Sequence, residues 1–161
     1  MSHHSARQTL SALLLLDSKN LTARMMLADL ELKAGNNAAA IDHLRVIVDV
    51  DDKNALALNN LAYILAKTDP DGALKYAQQA GELAPQNAAI EDTLGWVYYR
   101  KGLYSNALTH LKLAVAKEGT PRRQFHLGMA YVKSGDQATG RQIVTAALKS
   151  DPALATSERD W

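Results

Sequence analysis

Met26-Leu27-Ala28, Asn60-Leu61-Ala62, Thr93-Leu94-Gly95 and His126-Leu127-Gly128 decide how this chain folds. Each places a Leu before a very small residue, and the small residues stand at 28, 62, 95 and 128, intervals of 34, 33 and 33. Ala40, Ala73, Ala107 and Gly140 recur at 33, 34 and 33, and Asp52, Pro85, Gly119 and Pro152 keep the same step. A period in the thirties is the mark of stacked supersecondary units, each too small to bury its apolar face alone. The small residues have a packing reason: where two helices cross closely, a side chain larger than methyl holds the backbones apart.

Between these positions the apolar residues follow helical spacing, and glycines fall where helices stop. Ala23 to Lys33 reads as a helix closed by Gly35, Ala88 to Lys101 as one closed by Gly102, and Pro121 to Ser134 as one closed by Gly135. A second helix follows each, at about 37–49, 70–83, 104–117 and 137–150. Four helix-turn-helix units result, at 21–54, 55–87, 88–120 and 121–154. The second unit lacks the glycine stop, but Asp69-Pro70 supplies an N-cap and a proline at the first helical position.

These units resemble tetratricopeptide repeats (TPRs). The pattern is met by Leu94, Gly95, Tyr98, Tyr104, Ala107, Leu111 and Ala114 in the third unit, and by Leu127, Gly128, Tyr131, Gly140, Val144, Ala147 and Pro152 in the fourth. The second keeps Leu61, Ala62, Ala73, Ala77, Ala80 and Pro85. The first departs most, with Glu31 where an aromatic is usual and Asp52 where Pro is usual. The resemblance implies an all-α fold, a right-handed solenoid of antiparallel helix pairs.

At the ends, residues 5–20 read as the second helix of a truncated upstream repeat, with Leu10, Leu13 and Leu14 on one side. Met1 to His4 reads as a cloning scar rather than a targeting signal. Residues 155–161 form a C-terminal stub, too short for a full capping helix. The expectation is a fragment of a longer repeat protein that self-associates through its uncovered leucines.

Composition narrows the function classes. Among 161 residues, 18 basic and 17 acidic side chains leave a formal charge of +1, so nothing in the balance calls for nucleic acid or an anionic membrane. No Cys is present, which removes disulfide and thiolate chemistry. The apolar run Leu13 to Leu16 is far short of the roughly 20 residues that span a bilayer. His43 and His110 hold equivalent places in second helices and are expected to face outward, and no pair of His or carboxylates has the spacing of a helical zinc motif. Asp49, Asp51 and Asp52 lack the Gly and the distal Glu of a calcium loop. The expectation is a protein that is no enzyme and carries no cofactor or metal.

The candidate site is a surface. Repeat positions seven, eight and eleven face the partner helix, so positions two, five, nine, twelve and thirteen face away. In TPRs that opposite face lines a concave groove. Ninth positions carry Asp29, Tyr63, Trp96 and Met129, and fifth positions carry Met25, Asn59, Asp92 and Phe125. Position twelve adds Tyr99, and position thirteen supplies a base in every unit: Lys33, Lys67, Arg100 and Lys133. Two readings compete: the aromatics pack against the neighbouring unit, or they anchor a peptide, with Trp96 central. The clamp that some TPRs use for a C-terminal carboxylate resembles a Lys and an Asn four apart in the first unit, where this chain has Met25 and Asp29.

The leading expectation is a non-catalytic scaffold binding a peptide or helix of another protein. A looser similarity, carried by residues 57–63, 92–99 and 125–131, joins the chain to bacterial exported TPR lipoproteins of exopolysaccharide and exosortase systems, and implies a periplasmic or envelope setting. The alternatives are a spacer or oligomerisation segment, or the regulatory repeats of an enzyme whose catalytic domain lies elsewhere.

Overall fold

The computed structural model describes residues 3–158, with side chains from Ser5 onward; the remainder of the segments read as a scar and a stub lies outside the described residues. Ten helices occur among them and no strand: α1 His3–Leu16, α2 Leu21–Lys33, α3 Asn37–Val50, α4 Ala55–Leu65, α5 Pro70–Leu83, α6 Ala88–Arg100, α7 Tyr104–Lys117, α8 Pro121–Ser134, α9 Gln137–Ser150 and α10 Leu154–Ser157. They pack as consecutive pairs, α2 on α3, α4 on α5, α6 on α7 and α8 on α9, and each pair lies against the next. The chain is an all-α solenoid. None of these helices is long and apolar enough to cross a membrane.

The starts of the first helices carry a regularity of their own. Asn20, Asn54 and Asn87 accept with their side chains from Ala23 N at 2.9 Å, Ala57 N at 3.0 Å and Ala89 N at 3.0 Å, and Thr120 accepts from Arg123 N at 3.3 Å. Each cap satisfies an amide that the helix leaves open, worth about 1 kcal/mol. The turns into α2, α4 and α6 are of one kind, whereas the turn into α8 closes with Thr120 N donating to Glu118 O at 3.0 Å. Asn20 N, Asn54 N and Asn87 N donate to the carbonyls of Asp17, Asp51 and Ala84 at 3.1, 3.2 and 3.3 Å. Asp17, Asp51 and Asp151 each accept with Oδ1 from the amide two residues on, at 3.1, 3.2 and 3.1 Å. Within units, Gly35, Gly102 and Gly135 take left-handed φ values of 78°, 73° and 105°, and in the second unit Asp69 caps Gly72 N at 2.9 Å ahead of Pro70.

The helix crossings fall on the small residues. Ala28, Ala40, Ala62, Ala73 and Ala107 are wholly buried. A Cβ on Gly140 would lie 2.6 Å from Gly128 O and 2.6 Å from Val132 Cγ2, and one on Gly128 would lie 3.0 Å from Gly140 O, so the fourth pair crosses too closely for even a methyl. One core runs from Ala28 to Ala130. Two smaller clusters sit at its ends, Leu10 with Ala23 and Leu27, and Phe125 with Ala147 and Leu154.

Two features near the ends add to the sequence reading. Glu31, in the place of an aromatic, is buried and polar-bonded: it accepts from Asn36 Nδ2 at 2.7 Å and pairs with Arg7 Nε at 2.7 Å. The Asn36 hydrogen bond, with Arg7 beside it, lowers its pKa despite burial. The segment after Pro152 is short, yet its single turn α10 covers apolar surface, with Leu154 only 3% exposed against Phe125 and Ala147.

Candidate groove on the concave face

A cleft of about 520 Å³ runs along the faces of α4, α6 and the start of α8, reaching the end of α2. Its walls hold Asn59, Tyr63 and Lys67 from α4 and the residues just after it, Asp92 and Trp96 from α6, and Arg122 and Arg123 from α8, with Lys33 at one end. Six of the expected groove residues line it: Lys33, Asn59, Tyr63, Lys67, Asp92 and Trp96. The other seven do not. Met25 packs against the core, Asp29 is tied to Lys33 at 2.6 Å, and Tyr99 is buried beside Tyr104. Phe125 lies under α10, Met129 packs between the main core and that cluster, and Arg100 and Lys133 stand exposed outside the cleft.

Trp96 is not the exposed anchor that helical spacing implies. It is 1% exposed, with Tyr63 at 6.3 Å, Tyr99 at 6.0 Å and His126 at 6.5 Å between ring centroids, and the Arg100 guanidinium 5.2 Å above its own ring. It lies at the floor of the cleft, which half-buried Tyr63 also lines. The packing reading of Trp96 prevails because a residue facing away from its own partner helix still faces the neighbouring first helices.

Arg122 crosses the concave face. Its guanidinium lies 5.1 Å over the Tyr63 ring, its Nη2 donates to the Tyr63 hydroxyl, and its Nε pairs with Glu158 Oε1 at 2.9 Å. It thereby links α4, α8 and the residue after α10. Burial works against the charge of Arg122, but the neighbouring Tyr63, Glu158 and Asp92 outweigh it and raise its pKa; burial likewise raises that of Tyr63. Behind Arg122, His126 is fully buried, with Nδ1 2.8 Å from Asp92 Oδ1 and Nε2 3.4 Å from Glu158 Oε2. Asn59, 8% exposed, has an Oδ1 with no hydrogen-bond partner among the described residues. Around the cleft, Arg123 is paired with Glu118 and Lys33 with Asp29.

Sequence reading missed Arg122, His126 and Glu158. Position two faces the groove in the repeat pattern, so Arg122 was within reach; Glu158 was not, because nothing periodic places it. His110 and His43 are also not simply outward. His110 Nδ1 lies 2.7 Å from Glu91 Oε2 and its ring stacks on Tyr98, while His43 Nδ1 lies 3.4 Å from Arg24 Nη1. Both latch a second helix to the first helix of the same pair.

This architecture defines a class, the helical-repeat solenoids. A family model described as the TT21 fifth ARM repeats domain matches residues 22–134, and the chain belongs to that family of repeats, its units being of the tetratricopeptide type. The chain is 32% identical over 118 residues to the TPR repeat-containing protein PA4667 of Pseudomonas aeruginosa, covering 70% of this chain and 19% of that protein. It thus spans about a fifth of the relative's length. Two solved structures share the fold. One is TTC0263, a thermophilic TPR protein of Thermus thermophilus, with a TM-score of 0.77, 22% identity, and coverage of 93% of this chain and 84% of that one. The other is YrrB, described as a TPR protein with an unusual peptide-binding site, with a TM-score of 0.70, 20% identity, and coverage of 99% and 84%.

Proposed function

We propose that this chain is a non-catalytic scaffold that holds a peptide segment of another protein in the concave cleft. The cleft carries the reading: it combines the half-buried ring of Tyr63, the polar side chains of Asn59 and Asp92, and bases from three units. Aromatic anchors beside polar groups are what extended peptides use for affinity and register. The fold likeness to YrrB, whose description names a peptide-binding site, supports the same reading. An envelope setting draws on the looser similarity of residues 57–63, 92–99 and 125–131 to exported TPR lipoproteins.

The test is to select peptides against the chain and measure their affinity by calorimetry. Tyr63→Ala is expected to weaken binding about thirtyfold or more while helicity is kept, because truncating a central aromatic costs ~2 kcal/mol or more. Unchanged affinity for every selected peptide would refute the reading. Trp96→Ala is a poorer probe. Emptying so buried a site destabilises by about 3–5 kcal/mol and mixes folding with binding.

A second reading, a spacer or oligomerisation segment, draws on Leu15 and Leu16 of α1, each 88% exposed. Exposed leucines side by side favour association with another surface. Light scattering over a concentration series separates the two readings, since peptide binding in the cleft needs no change of mass.

A further inference from the structure

The polar contacts at the carboxy-terminal end of the cleft are organised around one guanidinium. Arg122 is still 46% exposed at its side chain, although it touches Tyr63 and Glu158. Glu158 is only 6% exposed at its side chain, four residues beyond the start of α10, and it reaches Arg122 from within a continuing chain. Lys67 and Lys33 also line the cleft, and Asp92, the acidic residue among those lining it, is engaged by His126. Of the four basic side chains in the lining, Lys33, Arg122 and Arg123 each hold a carboxylate of this chain, so an acidic ligand meets them in competition. A carboxylate is the group that a planar guanidinium with free N–H directions recognises best.

We infer that Arg122 is a receptor for a glutamate side chain of a bound peptide, and that Glu158, in the segment just after α10, competes for it. The inference rests on the reading of the cleft as a peptide site and names what that site prefers. A Glu side chain is the specified occupant because the occupant already on Arg122 is one, offered from the middle of a chain rather than from a terminus. Tyr63 positions the guanidinium by its ring face and hydroxyl, which keeps the fork directed across the cleft. While Glu158 neutralises Arg122, an incoming carboxylate gains little from the same charge. When the segment after α10 gives way, that charge becomes available, so its release and ligand binding are coupled.

The experiment uses the full chain and two acetylated, amidated octapeptides, one alternating Leu with Glu and the other Leu with Gln, so that no terminal carboxylate takes part. Binding is measured by calorimetry for wild type, Glu158→Gln, Arg122→Gln and Arg122→Lys. Glu158→Gln is expected to tighten the Glu peptide about tenfold and leave the Gln peptide unchanged, the scale of one charged hydrogen bond. Arg122→Gln is expected to erase the preference for the Glu peptide, with Arg122→Lys recovering part of it. Weaker binding of the Glu peptide to Glu158→Gln would make Glu158 a support for Arg122 rather than its competitor and overturn the inference. Equal affinity of the two peptides for wild type and Glu158→Gln would also overturn it, yet leave the peptide cleft standing. Absence of binding by either peptide in all four proteins would overturn both.

Discussion

The first and last of the described helices cover their neighbours unequally. At the amino-terminal end, the 14 residues of α1 bury Leu10 against Ala23 and Leu27 but leave Leu13 39% exposed and Leu15 and Leu16 88% exposed. At the other end, the four residues of α10 bury Leu154 against Phe125 and Ala147 and lead Glu158 to Arg122 and His126. Helix length is therefore a poor measure of how well an end is covered. What matters is whether an apolar side chain enters the gap between the last two helices and whether the polar group that follows finds partners. A long amphipathic helix laid along one neighbour buries a single stripe, whereas a short turn seated between two helices buries its side chain on all sides.

The sharpest way to break this contrast is Leu154→Ala. Emptying a buried leucine site is expected to cost about 2 kcal/mol, the low end of the 2–5 range because the site lies at the rim. Leu15→Ala at the opposite end should change stability by no more than about 0.5 kcal/mol. Urea denaturation of the two variants side by side measures the difference, and equal losses would erase it. Next in size is Gly140→Ala. Its new methyl would meet Gly128 O and Val132 Cγ2 at 2.6 Å, and overpacking of that kind costs about 1–3 kcal/mol. The loss should appear in hydrogen exchange of α8 and α9 before that of α2 and α3, so the well-covered end would become the weaker one.

The smallest effect is a pH response at the amino-terminal end. Burial, with Arg24 nearby, lowers the pKa of His43, and the Asn36 hydrogen bond lowers that of Glu31. A group with a depressed folded pKa favours the folded state at high pH and loses that contribution as pH falls below its unfolded value. The His43 contribution thus fades below about pH 6.5, and that of Glu31 only below about pH 4.3. Thermal melts between pH 7 and pH 5 should show a decline that His43→Gln flattens. An identical slope in the variant would assign the decline elsewhere.

How much of this was visible in the sequence follows the range of the interaction. The crossings at Ala28, Ala62, Gly95 and Gly128 and the stops at Gly35, Gly102 and Gly135 are encoded within a few residues, and periodicity exposes them. Asn20, Asn54 and Asn87 were equally open to reading, since they stand at the same intervals before each first helix. The depth of Trp96 in the cleft was not legible because a helical wheel describes one pair of helices, and its burial is decided by Tyr63 and His126 from the pairs on either side. Arg122 and Tyr63 are 59 residues apart and meet only because the stack curves. Glu158 falls outside the repeat pattern that was read, so no recurring position announced it.

The turn that recurs at Asp17, Asp51 and Asp151 has one more consequence. Where the same joint stands before and after a pair, that pair can be repeated without changing the direction of the stack. Residues 21–54 leave by the same turn by which they are entered, so duplicating or excising that stretch preserves the heading of everything downstream. The length of the concave surface is thus adjustable in whole steps, and a gene encoding such a chain can extend it by copying a segment rather than by redesigning a fold.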